Sequence, residues 1–358
     1  MEINTTEPNF WKDKKVFITG HSGFKGSWLS LWLSSIGAKV YGYSLKPPSK
    51  PSFFELIGIK DMIEKSYTAD IRDYLILSQC LKETEPEIVF HLAAQSLVRD
   101  SYLIPLDTYS TNIMGIVNVF EAIRHVDSVS VCINITTDKV YENKEWYWAY
   151  RENEALGGYD PYSSSKACSE LVTSAYRSSY FSKNTKTWIA SARAGNVIGG
   201  GDWAKDRLVP DIIRTFLDNG LLQIRNPKAI RPWQHVLEPL SGYLKLAEKL
   251  FTSKDIKFAS SFNFGPEEKD VRTVEYIVKK IANLWTSKLN YEFQTDATLH
   301  EASYLKLDNS KAKDLLEWYP KWNLDIALEK IIEWTLAYKN QASLRDISLK
   351  QIQDYNNI

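Results

Sequence analysis

The sequence predicts an α/β fold in which a doubly wound parallel sheet is followed by a smaller mixed α/β region. Short β-branched runs alternate with amphipathic stretches through the first half of the chain, a pattern typical of a parallel sheet covered by helices on both faces. A glycine-rich turn joins the first such run to the first helical stretch, and the alternation loosens after Gly195. We therefore predict two domains, 1–195 and 196–358, with some later segments returning to the first.

The strands and helices are predicted from local patterns of apolar residues. Runs rich in Val, Ile and aromatic residues predict strands at 15–19, 38–43, 87–92, 129–136 and 187–193. Apolar residues recurring every three or four positions predict helices at 27–35, 74–83, 106–125, 161–180, 209–219, 236–252, 273–287 and 325–340. Pro105 and Pro161 stand where a helix can begin, because the first helical position needs no N–H donor. The polar stretch from Ala342 is predicted to be a loosely held tail.

The composition argues for a small ligand and against several classes of partner. Lys plus Arg and Asp plus Glu both number 44, so no overall field favours a nucleic acid or an anionic membrane. No apolar run reaches signal-peptide or membrane-spanning length, and we predict a cytoplasmic protein. The three cysteines, Cys80, Cys132 and Cys168, are widely spaced, which predicts reduced thiols in the core and no metal site.

Three glycines in the turn after the first strand, Gly20, Gly23 and Gly26, indicate a phosphate-binding site. Free N–H groups at a helix N-terminus face an anion with the helix dipole behind them. Glycine lets a pyrophosphate approach the backbone closely. Such glycines alone are a weak signal, since a plain tight turn can also contain them, but here a predicted strand precedes them and a predicted helix follows.

The spacing Gly-x-x-Gly-x-x-Gly resembles the extended branch of the short-chain dehydrogenase/reductase superfamily, whose dinucleotide domain has the Rossmann fold. This resemblance implies that the glycine turn and later strand-end segments contact the cofactor, at Gly20, Ser22, Gly23, Phe24, Lys25, Gly26, Ser44, Asp70, Ile71, Leu92, Ala93, Ala94, Gln95, Asn112, Tyr162 and Lys166. An NAD site usually carries an acid after the second strand, where this chain has Tyr41-Gly42-Tyr43-Ser44 and, close by, Lys46. The residues therefore leave NAD and NADP both open, and the resemblance favours NAD.

Tyr162 and Lys166 are predicted to lie on one helix face, one turn apart. A free phenol titrates near pH ~10, and a nearby cation lowers that value. We therefore expect Lys166, together with the nicotinamide charge, to bring the Tyr162 phenol toward neutrality as a base. Thr137, at the end of a predicted strand, would hydrogen-bond the same substrate hydroxyl. A Tyr-x-x-x-Lys pair alone is common by chance, so the combination with the glycine turn carries the hypothesis.

Two ionisable residues follow Thr137, namely Asp138 and Lys139. A plain dehydrogenase or an epimerase needs only the tyrosine, the lysine and the hydroxyl. The Thr-Asp-Lys run instead resembles sugar-nucleotide 4,6-dehydratases, and its lysine is typical of the CDP-glucose 4,6-dehydratase family. That resemblance spans nearly the whole chain and includes the runs at 193–203, 206–211 and 231–236. It implies conversion of CDP-D-glucose to CDP-4-keto-6-deoxy-D-glucose, in 3,6-dideoxyhexose and O-antigen biosynthesis.

The resemblance also assigns roles to individual residues. Asp138 would protonate the departing C6 hydroxyl, and Lys139 or a neighbouring base would remove the C5 proton. Arg207 and Arg231 would pair with the diphosphate through charge-assisted bonds worth roughly 1.5 to 3 kcal/mol each. The predicted substrate-binding residues are Ser96, Arg193, Asn196, Gly201, Arg207, Leu208, Arg231 and His235.

Two other functions and the assembly state stay open at this point. A nucleotide-sugar 4-epimerase or reductase would use the same tyrosine and lysine, and a non-catalytic NAD(P)-binding regulator would need only the fold. The helices at 106–125 and 161–180 carry apolar residues on more than one face. In the resembling family such helices pair between subunits, which implies a homodimer or homotetramer.

Overall fold

The computed structural model describes residues 8–181, 186–224, 226–285, 290–293 and 304–358. Seven strands form one parallel sheet in the order β11-β6-β5-β4-β1-β2-β3. Three two-stranded sheets lie in the later half of the chain. The strands are β1 (Lys15–Thr19), β2 (Lys39–Ser44), β3 (Lys65–Thr68), β4 (Ile88–His91), β5 (Val131–Ile135), β6 (Trp188–Ala194), β7 (Val197–Ile198), β8 (Leu221–Ile224), β9 (Ile230–Pro232), β10 (Gln234–His235), β11 (Ser261–Phe264), β12 (Val271–Thr273) and β13 (Asn290–Phe293).

The sheet confirms the predicted doubly wound α/β fold, and all five predicted strands belong to it. β4 and β5 are buried along their whole length, which explains their nearly continuous apolar sequence. In β1, Val16 and Ile18 enter the core on one face of the sheet and Phe17 enters the core on the other. The order reverses between β1 and β4, and such a reversal opens a crevice at the carboxyl ends of the strands.

Helices cover both faces of the sheet. They are α1 (Pro8–Trp11), α2 (Phe24–Ser35), α3 (Phe53–Ile57), α4 (Tyr74–Thr84), α5 (Val98–Leu103), α6 (Pro105–Tyr109), α7 (Gly115–Ile123), α8 (Pro161–Ser179), α9 (Leu208–Asp218), α10 (Leu237–Ser253), α11 (Val274–Leu284), α12 (Ser310–Leu316), α13 (Leu324–Lys339) and α14 (Leu344–Asn356). In the part of the chain described, no helix combines the length and the apolar character needed to cross a bilayer.

The predicted helix at 106–125 is confirmed as a helix without a break from Pro105 to Ile123, but it is not a regular α-helix throughout. A π-helical turn, Ser110–Met114, separates α6 from α7, and such turns often re-aim a side chain at a functional site. Here the turn carries the buried Asn112. The predicted helix at 273–287 corresponds to α11, and residues 286–287 lie outside the described residues.

Later segments return to the central sheet. β11 pairs with β6 at the sheet edge, and α10 packs against β5 and β6. Two further strands, β3 and β11, were not among the five predicted, because both are only four residues long and mix polar with apolar residues. The sheet therefore draws on both halves of the chain.

The predicted loose tail after Ala342 is wrong, because this stretch forms α14 and packs against α2, α3 and α13. Its polar residues are paired inside the protein. The Ser348 hydroxyl accepts a hydrogen bond from Trp334 Nε1 at 3.0 Å, and the Tyr355 hydroxyl donates to Glu238 Oε2 at 2.8 Å. A polar sequence can thus be buried when its hydrogen bonds are satisfied.

Candidate active site

The carboxyl ends of the central strands open into a cleft of about 840 Å³. Residues from both halves of the chain line it. Eleven of the predicted site residues are among them: Phe24, Lys25, Ser96, Thr137, Asp138, Lys139, Tyr162, Asn196, Arg207, Leu208 and Arg231. The cleft therefore brings together residues up to about two hundred positions apart in the sequence.

The glycine turn lies between β1 and α2 and has the geometry of a phosphate-binding loop. Gly20 has a φ of 77°, and a Cβ on Gly26 would lie 2.1 Å from the Gly20 carbonyl oxygen. These two glycines are required by the turn itself. A Cβ on Gly23 would meet only that oxygen, at 3.4 Å, so its other side is open. No side chain caps the first turn of α2, which leaves its N–H groups to bind an anion.

The 92–95 segment is held beneath the cleft by Asn112. The Asn112 amide accepts a hydrogen bond from Gln95 N at 2.9 Å and donates to Gln95 O at 3.0 Å. It also donates to Ser165 Oγ on α8 at 2.8 Å. Leu92 and Ala93 are tied to β1 by hydrogen bonds to Thr19. Asn112 thus supports the predicted cofactor loop by linking it to the helix that carries Tyr162.

The end of β2 carries hydroxyl groups in place of the usual acid. The Ser44 hydroxyl donates to Ser22 Oγ at 2.8 Å and lies 3.0 Å from His21 Nδ1. Burial lowers the pKa of His21 to about 4, so the imidazole is neutral at pH 7. The end of β2 therefore carries a buried, neutral group of hydroxyls and an imidazole.

Asp70 and Ile71 follow β3 and point in different directions. Asp70 pairs with Arg72 at 2.6 Å, and the hydrogen bond from Arg72 lowers the pKa of the Asp70 carboxyl. Ile71 is buried against Gly115, where a Cβ would lie 2.9 Å from Ile71 Cγ2. Neither residue lines the cleft.

The expected lowering of the Tyr162 pKa by Lys166 together with the nicotinamide charge stays a prediction, and in the protein alone the shift is in the opposite direction. Burial raises the pKa of Tyr162 to about 12, opposed by a hydrogen bond with Thr137 and by the charge of Arg207. Burial also lowers the pKa of Lys166 to about 8, and its ammonium donates to Ile135 O at 3.1 Å. Desolvation disfavours both charged forms in this environment and is the largest cause of each shift.

Asp138 is buried at the cleft wall with one carboxylate oxygen lacking a partner. The Thr137 hydroxyl donates to Asp138 Oδ1 at 2.9 Å, whereas Oδ2 has no hydrogen-bond partner among the described residues. Burial raises the pKa of Asp138, against the opposing charges of Lys139, Arg231 and Lys25. This environment favours a protonated carboxyl group that can donate a proton into the cleft.

Two lysines share this part of the cleft. Lys139 is half-buried and follows Asp138 in a short 3₁₀ turn. Burial lowers the pKa of Lys25 to about 7, helped by the charges of Lys166 and Arg207. The cleft therefore contains two amine side chains, which suits a substrate and a cofactor that both carry phosphate.

Among the predicted substrate-binding residues, four polar ones line the cleft, namely Ser96, Asn196, Arg207 and Arg231. Arg207 donates to Asp202 Oδ2 at 3.1 Å and to Ser96 Oγ at 3.3 Å, and its side chain is 35% exposed. Arg231 is buried at the cleft wall, and its charge acts on Asp138. Asn196 follows β6 at the same edge. These groups can reach an anionic ligand in the cleft.

The prediction that Arg193 binds the substrate is corrected, because Arg193 does not line this cleft. Ala192 and Ala194 on β6 enter one core, so Arg193 points to the other face of the sheet, beneath α8. There its guanidinium donates to both oxygens of Glu170 at 3.0 Å and to Tyr141 Oη at 2.9 Å. Only 3% of its side chain is exposed. Arg193 is part of a buried ion pair.

Gly201 and His235 also lie away from the cleft lining. Gly201 has a φ of 79°, and a Cβ there would lie 2.4 Å from Phe53 Cδ2, so the residue permits close packing. His235 is fully buried, with its ring 4.9 Å from the Trp322 ring, and burial lowers its pKa to about 3. Pairing of β10 with β7 directs His235 into the core.

The structure adds two acidic residues that the sequence reasoning missed. Asp202 forms an ion pair with Arg207, which lines the cleft. Glu170 forms an ion pair with Arg193 beneath α8, the helix that carries Tyr162 and Lys166. The position of Glu170, one turn after Lys166 on the same helix face, was the one signal that could have identified it.

Comparison with known proteins agrees with this geometry. A sequence model of the GDP-mannose 4,6 dehydratase family matches residues 17–331. The curated CDP-glucose 4,6-dehydratase of Salmonella typhimurium (strain LT2) is 52% identical over 353 residues, which cover 98% of each chain.

Solved structures with low sequence identity share the fold. The epimerase Mth375 of Methanothermobacter thermautotrophicus aligns with a TM-score of 0.80 at 22% identity, covering 96% of this chain and 97% of its own. The dTDP-glucose 4,6-dehydratase of Bacillus anthracis, solved in complex with NAD, aligns with a TM-score of 0.74 at 21% identity, covering 92% and 97%. Both likenesses extend over nearly the whole fold. With the family match over most of its length, this chain belongs to the GDP-mannose 4,6 dehydratase family.

Proposed function

We propose that the protein is an NAD-dependent dehydratase that converts CDP-D-glucose to CDP-4-keto-6-deoxy-D-glucose. The observation that carries this proposal is the buried Asp138, with a free carboxyl oxygen and a raised pKa, in one cleft with Tyr162, Thr137 and Lys139. An oxidation alone would not need a proton donor beside the base. The 52% identity to the Salmonella enzyme over nearly the whole chain supports the same substrate.

The glycine turn fits NAD. Gly23 is open on the side that faces away from the turn, and the first turn of α2 offers uncapped N–H groups to a pyrophosphate. Ser44 and Ser22 place hydroxyl groups, and no charge, at the end of β2. The chemistry that bound NAD would supply is removal of a hydride from C4 of the sugar and its return to C6. We propose that Gly20, Gly23, Gly26 and the 92–95 segment hold it.

Tyr162 is proposed to take the proton of the C4 hydroxyl. Thr137 lies within hydrogen-bonding reach of the phenol and would orient the same hydroxyl. The positive charge of Arg207 favours the phenolate. The high pKa of Tyr162 in the protein itself means that a bound cation must add to these effects before the phenol becomes a base near pH 7.

Asp138 and Lys139 are proposed to eliminate water. Once C4 is a ketone, the proton on C5 is acidic. Lys139 or a neighbouring base removes it, and the protonated Asp138 donates a proton to the C6 hydroxyl, which leaves as water. The C5–C6 double bond is thereby formed, and C6 is ready to accept hydride. Asp138 is suited to this role because burial favours its neutral form.

Arg207, Arg231 and Asn196 are proposed to bind the nucleotide sugar in the cleft. Arg207 already contacts Asp202 and Ser96 there. A diphosphate between Arg207 and Arg231 would gain charge-assisted hydrogen bonds, each worth about 1.5 to 3 kcal/mol. We also propose the domain division predicted from the sequence, with its boundary between residues 195 and 196. In this division β11 and α10 belong to the first domain, which contains the central sheet.

Assembly and location complete the proposal. Leu103, Leu106, Met114 and Leu171, on or beside α5 to α8, are at least half exposed, and such a patch is typical of a subunit interface. We propose that it pairs two copies of the chain. A cytoplasmic location stays a prediction, and the three free cysteines are consistent with a reducing compartment.

The test is incubation of the purified protein with CDP-, UDP- and dTDP-glucose, with and without added NAD. We expect CDP-glucose to yield a 4-keto-6-deoxy sugar, detected by its ultraviolet absorption in alkali, without net NADH. Formation of a 4-epimer, or of one NADH per product, would refute the dehydratase assignment. Lys139→Met should keep C4 oxidation and stop water loss, and full dehydratase activity in that variant would remove Lys139 from the mechanism.

A further inference from the structure

The face of α8 that carries Lys166 is fixed to β5 by a row of buried hydrogen bonds. The Lys166 ammonium donates to Ile135 O at 3.1 Å. One turn later, Asn134 Nδ2 donates to Ser169 Oγ at 3.0 Å and to Thr173 Oγ1 at 2.8 Å. Polar contacts in a low-dielectric interior define one alignment of two elements, because any slip leaves groups unpaired.

Glu170 is the most highly connected member of this row. Its carboxylate accepts hydrogen bonds from Thr136 Oγ1 at 2.5 Å, from Ser191 Oγ at 2.7 Å and from Arg193 Nε and Nη2 at 3.0 Å each. The side chain is only 3% exposed. A single carboxylate therefore joins α8, β6 and the end of β5.

The placement of these contacts matters for the proposed chemistry. Thr136 directly precedes the Thr137-Asp138-Lys139 run, so the bond from Thr136 to Glu170 holds the start of that run against α8. Glu170 lies one turn beyond Lys166 and two turns beyond Tyr162 on the same helix. A carboxylate at this position faces the ammonium group at a separation that favours its charged form.

We propose that Glu170 is a positioning residue that aligns α8 with the Thr137-Asp138-Lys139 run and supplies the buried negative charge that keeps Lys166 protonated. This inference rests on the proposed function, because it assigns a task to the helix that carries Tyr162 and Lys166. Glu170 does not itself line the cleft, and it reaches the lining through its hydrogen bond from Thr136.

The electrostatics around Lys166 support this role. Burial lowers the pKa of Lys166, and the charge of Glu170 is the influence that opposes this lowering. The other titratable groups that interact with Lys166 are Lys25 from α2, a second cation, and His91 from β4. Burial lowers the pKa of His91 to about 3, so it is neutral. Glu170 is thus the negatively charged residue among these groups that interact with Lys166.

The test compares Glu170→Gln with a matched control, Ser191→Ala. Glu170→Gln keeps the shape and removes the charge, whereas Ser191→Ala removes one hydrogen bond to Glu170 and leaves every charge in place. The readout is the pH dependence of C4 oxidation in the holoenzyme, followed by transient NADH absorbance with CDP-glucose. We expect the alkaline limb of Glu170→Gln to move to lower pH by about one unit or more, with KM for CDP-glucose within twofold of the original. Ser191→Ala should leave the limb in place.

A second measurement keeps the inference testable if activity is lost or never present. NMR of ¹³C-labelled lysine, with the Lys166 signal assigned by Lys166→Arg, reports the Lys166 titration without turnover. We expect the midpoint to fall by about one unit in Glu170→Gln and to stay in place in Ser191→Ala. If the original protein fails to form a 4-keto-6-deoxy sugar, the proposed function fails, while the NMR shift still decides the role of Glu170.

Glu170→Gln leaves the Arg193 guanidinium without its partner, so the variant could unfold. The double variant Glu170→Gln/Arg193→Met removes both buried charges. The downward shift of the Lys166 titration must persist in this variant, because Glu170 is the charge that acts on Lys166. A folded variant with an unchanged Lys166 titration and an unchanged alkaline limb would overturn the proposal.

Discussion

Replacement of Arg193 by Met tests whether this residue supports the fold or binds the substrate. The structure places the guanidinium in a buried ion pair with Glu170, with further hydrogen bonds to Tyr141 Oη and Glu152 O. Met fills a similar length of side chain but leaves the Glu170 carboxylate with two hydroxyl donors and without its paired guanidinium. Breaking one side of a buried ion pair costs about 3 to 5 kcal/mol, so we expect a loss of that size in the free energy of unfolding.

The assay is urea unfolding of the variant and the original protein, followed by fluorescence of the buried tryptophans. With a denaturant slope of about 3 kcal/mol per molar urea, the midpoint should fall by about 1 M or more. The KM for CDP-glucose should change less than twofold under conditions in which the variant is folded. An unchanged midpoint together with a KM raised tenfold would refute the structural reasoning and restore Arg193 as a substrate ligand.

Arg207→Met is the matched control, because Arg207 is an arginine in the cleft with a side chain that is 35% exposed. Its ion pair with Asp202 is partly solvated, and such pairs contribute about 1 kcal/mol or less. We therefore expect the opposite pattern, with a midpoint within about 0.3 M of the original and a KM for CDP-glucose raised at least tenfold.

Further predictions address the glycine turn, the acid and the C-terminal helix. Gly26→Ala should weaken NAD binding at least tenfold, measured by fluorescence titration, because its Cβ would lie 2.1 Å from Gly20 O. Asp138→Asn should keep transient NADH formation and lower product formation by about 10²-fold or more, measured by absorbance in alkali. Burial raises the pKa of Glu238 to about 7. Its bound proton therefore stabilises the folded protein fully below about pH 4.5. This contribution, at most about 3 kcal/mol, is lost as the pH rises toward 7 and beyond. Urea unfolding should therefore show a smaller decline between pH 5 and 8 for Glu238→Gln. Tyr355→Phe should cost about 1 to 3 kcal/mol in the free energy of unfolding, because it removes a buried donor to that carboxyl.

Much of the site could be predicted because its signals are local in sequence. The glycine turn is defined by residues six positions apart, and its need for glycine follows from backbone geometry within the turn. Tyr162 and Lys166 share a helix face by the period of the helix alone. The strands β1, β4, β5 and β6 are identified by their own apolar runs, and the rule that parallel strands end at one edge then places Thr137 near Tyr162.

The remaining features depend on partners that are distant in the sequence. Arg193 ends a strand in a typical ligand position, yet Glu170 lies 23 residues earlier and pairs with it beneath α8. The stretch from Ala342 is polar, but its hydroxyl and amide groups meet Trp334, Glu238 and Lys330 in the packed structure. Nothing in the local pattern distinguishes these buried polar residues from exposed ones.

The amino-acid sequence by itself determined the doubly wound sheet, the dinucleotide turn and the catalytic-type residues, since each follows from spacing along one strand, turn or helix. Only the tertiary structure decided which polar side chains face the cleft and which are buried, and which way the pKa values of Tyr162 and Lys166 move. The physical reason is that desolvation and ion pairing depend on the atoms that surround a group. Those atoms come from elements that meet only when the chain has folded.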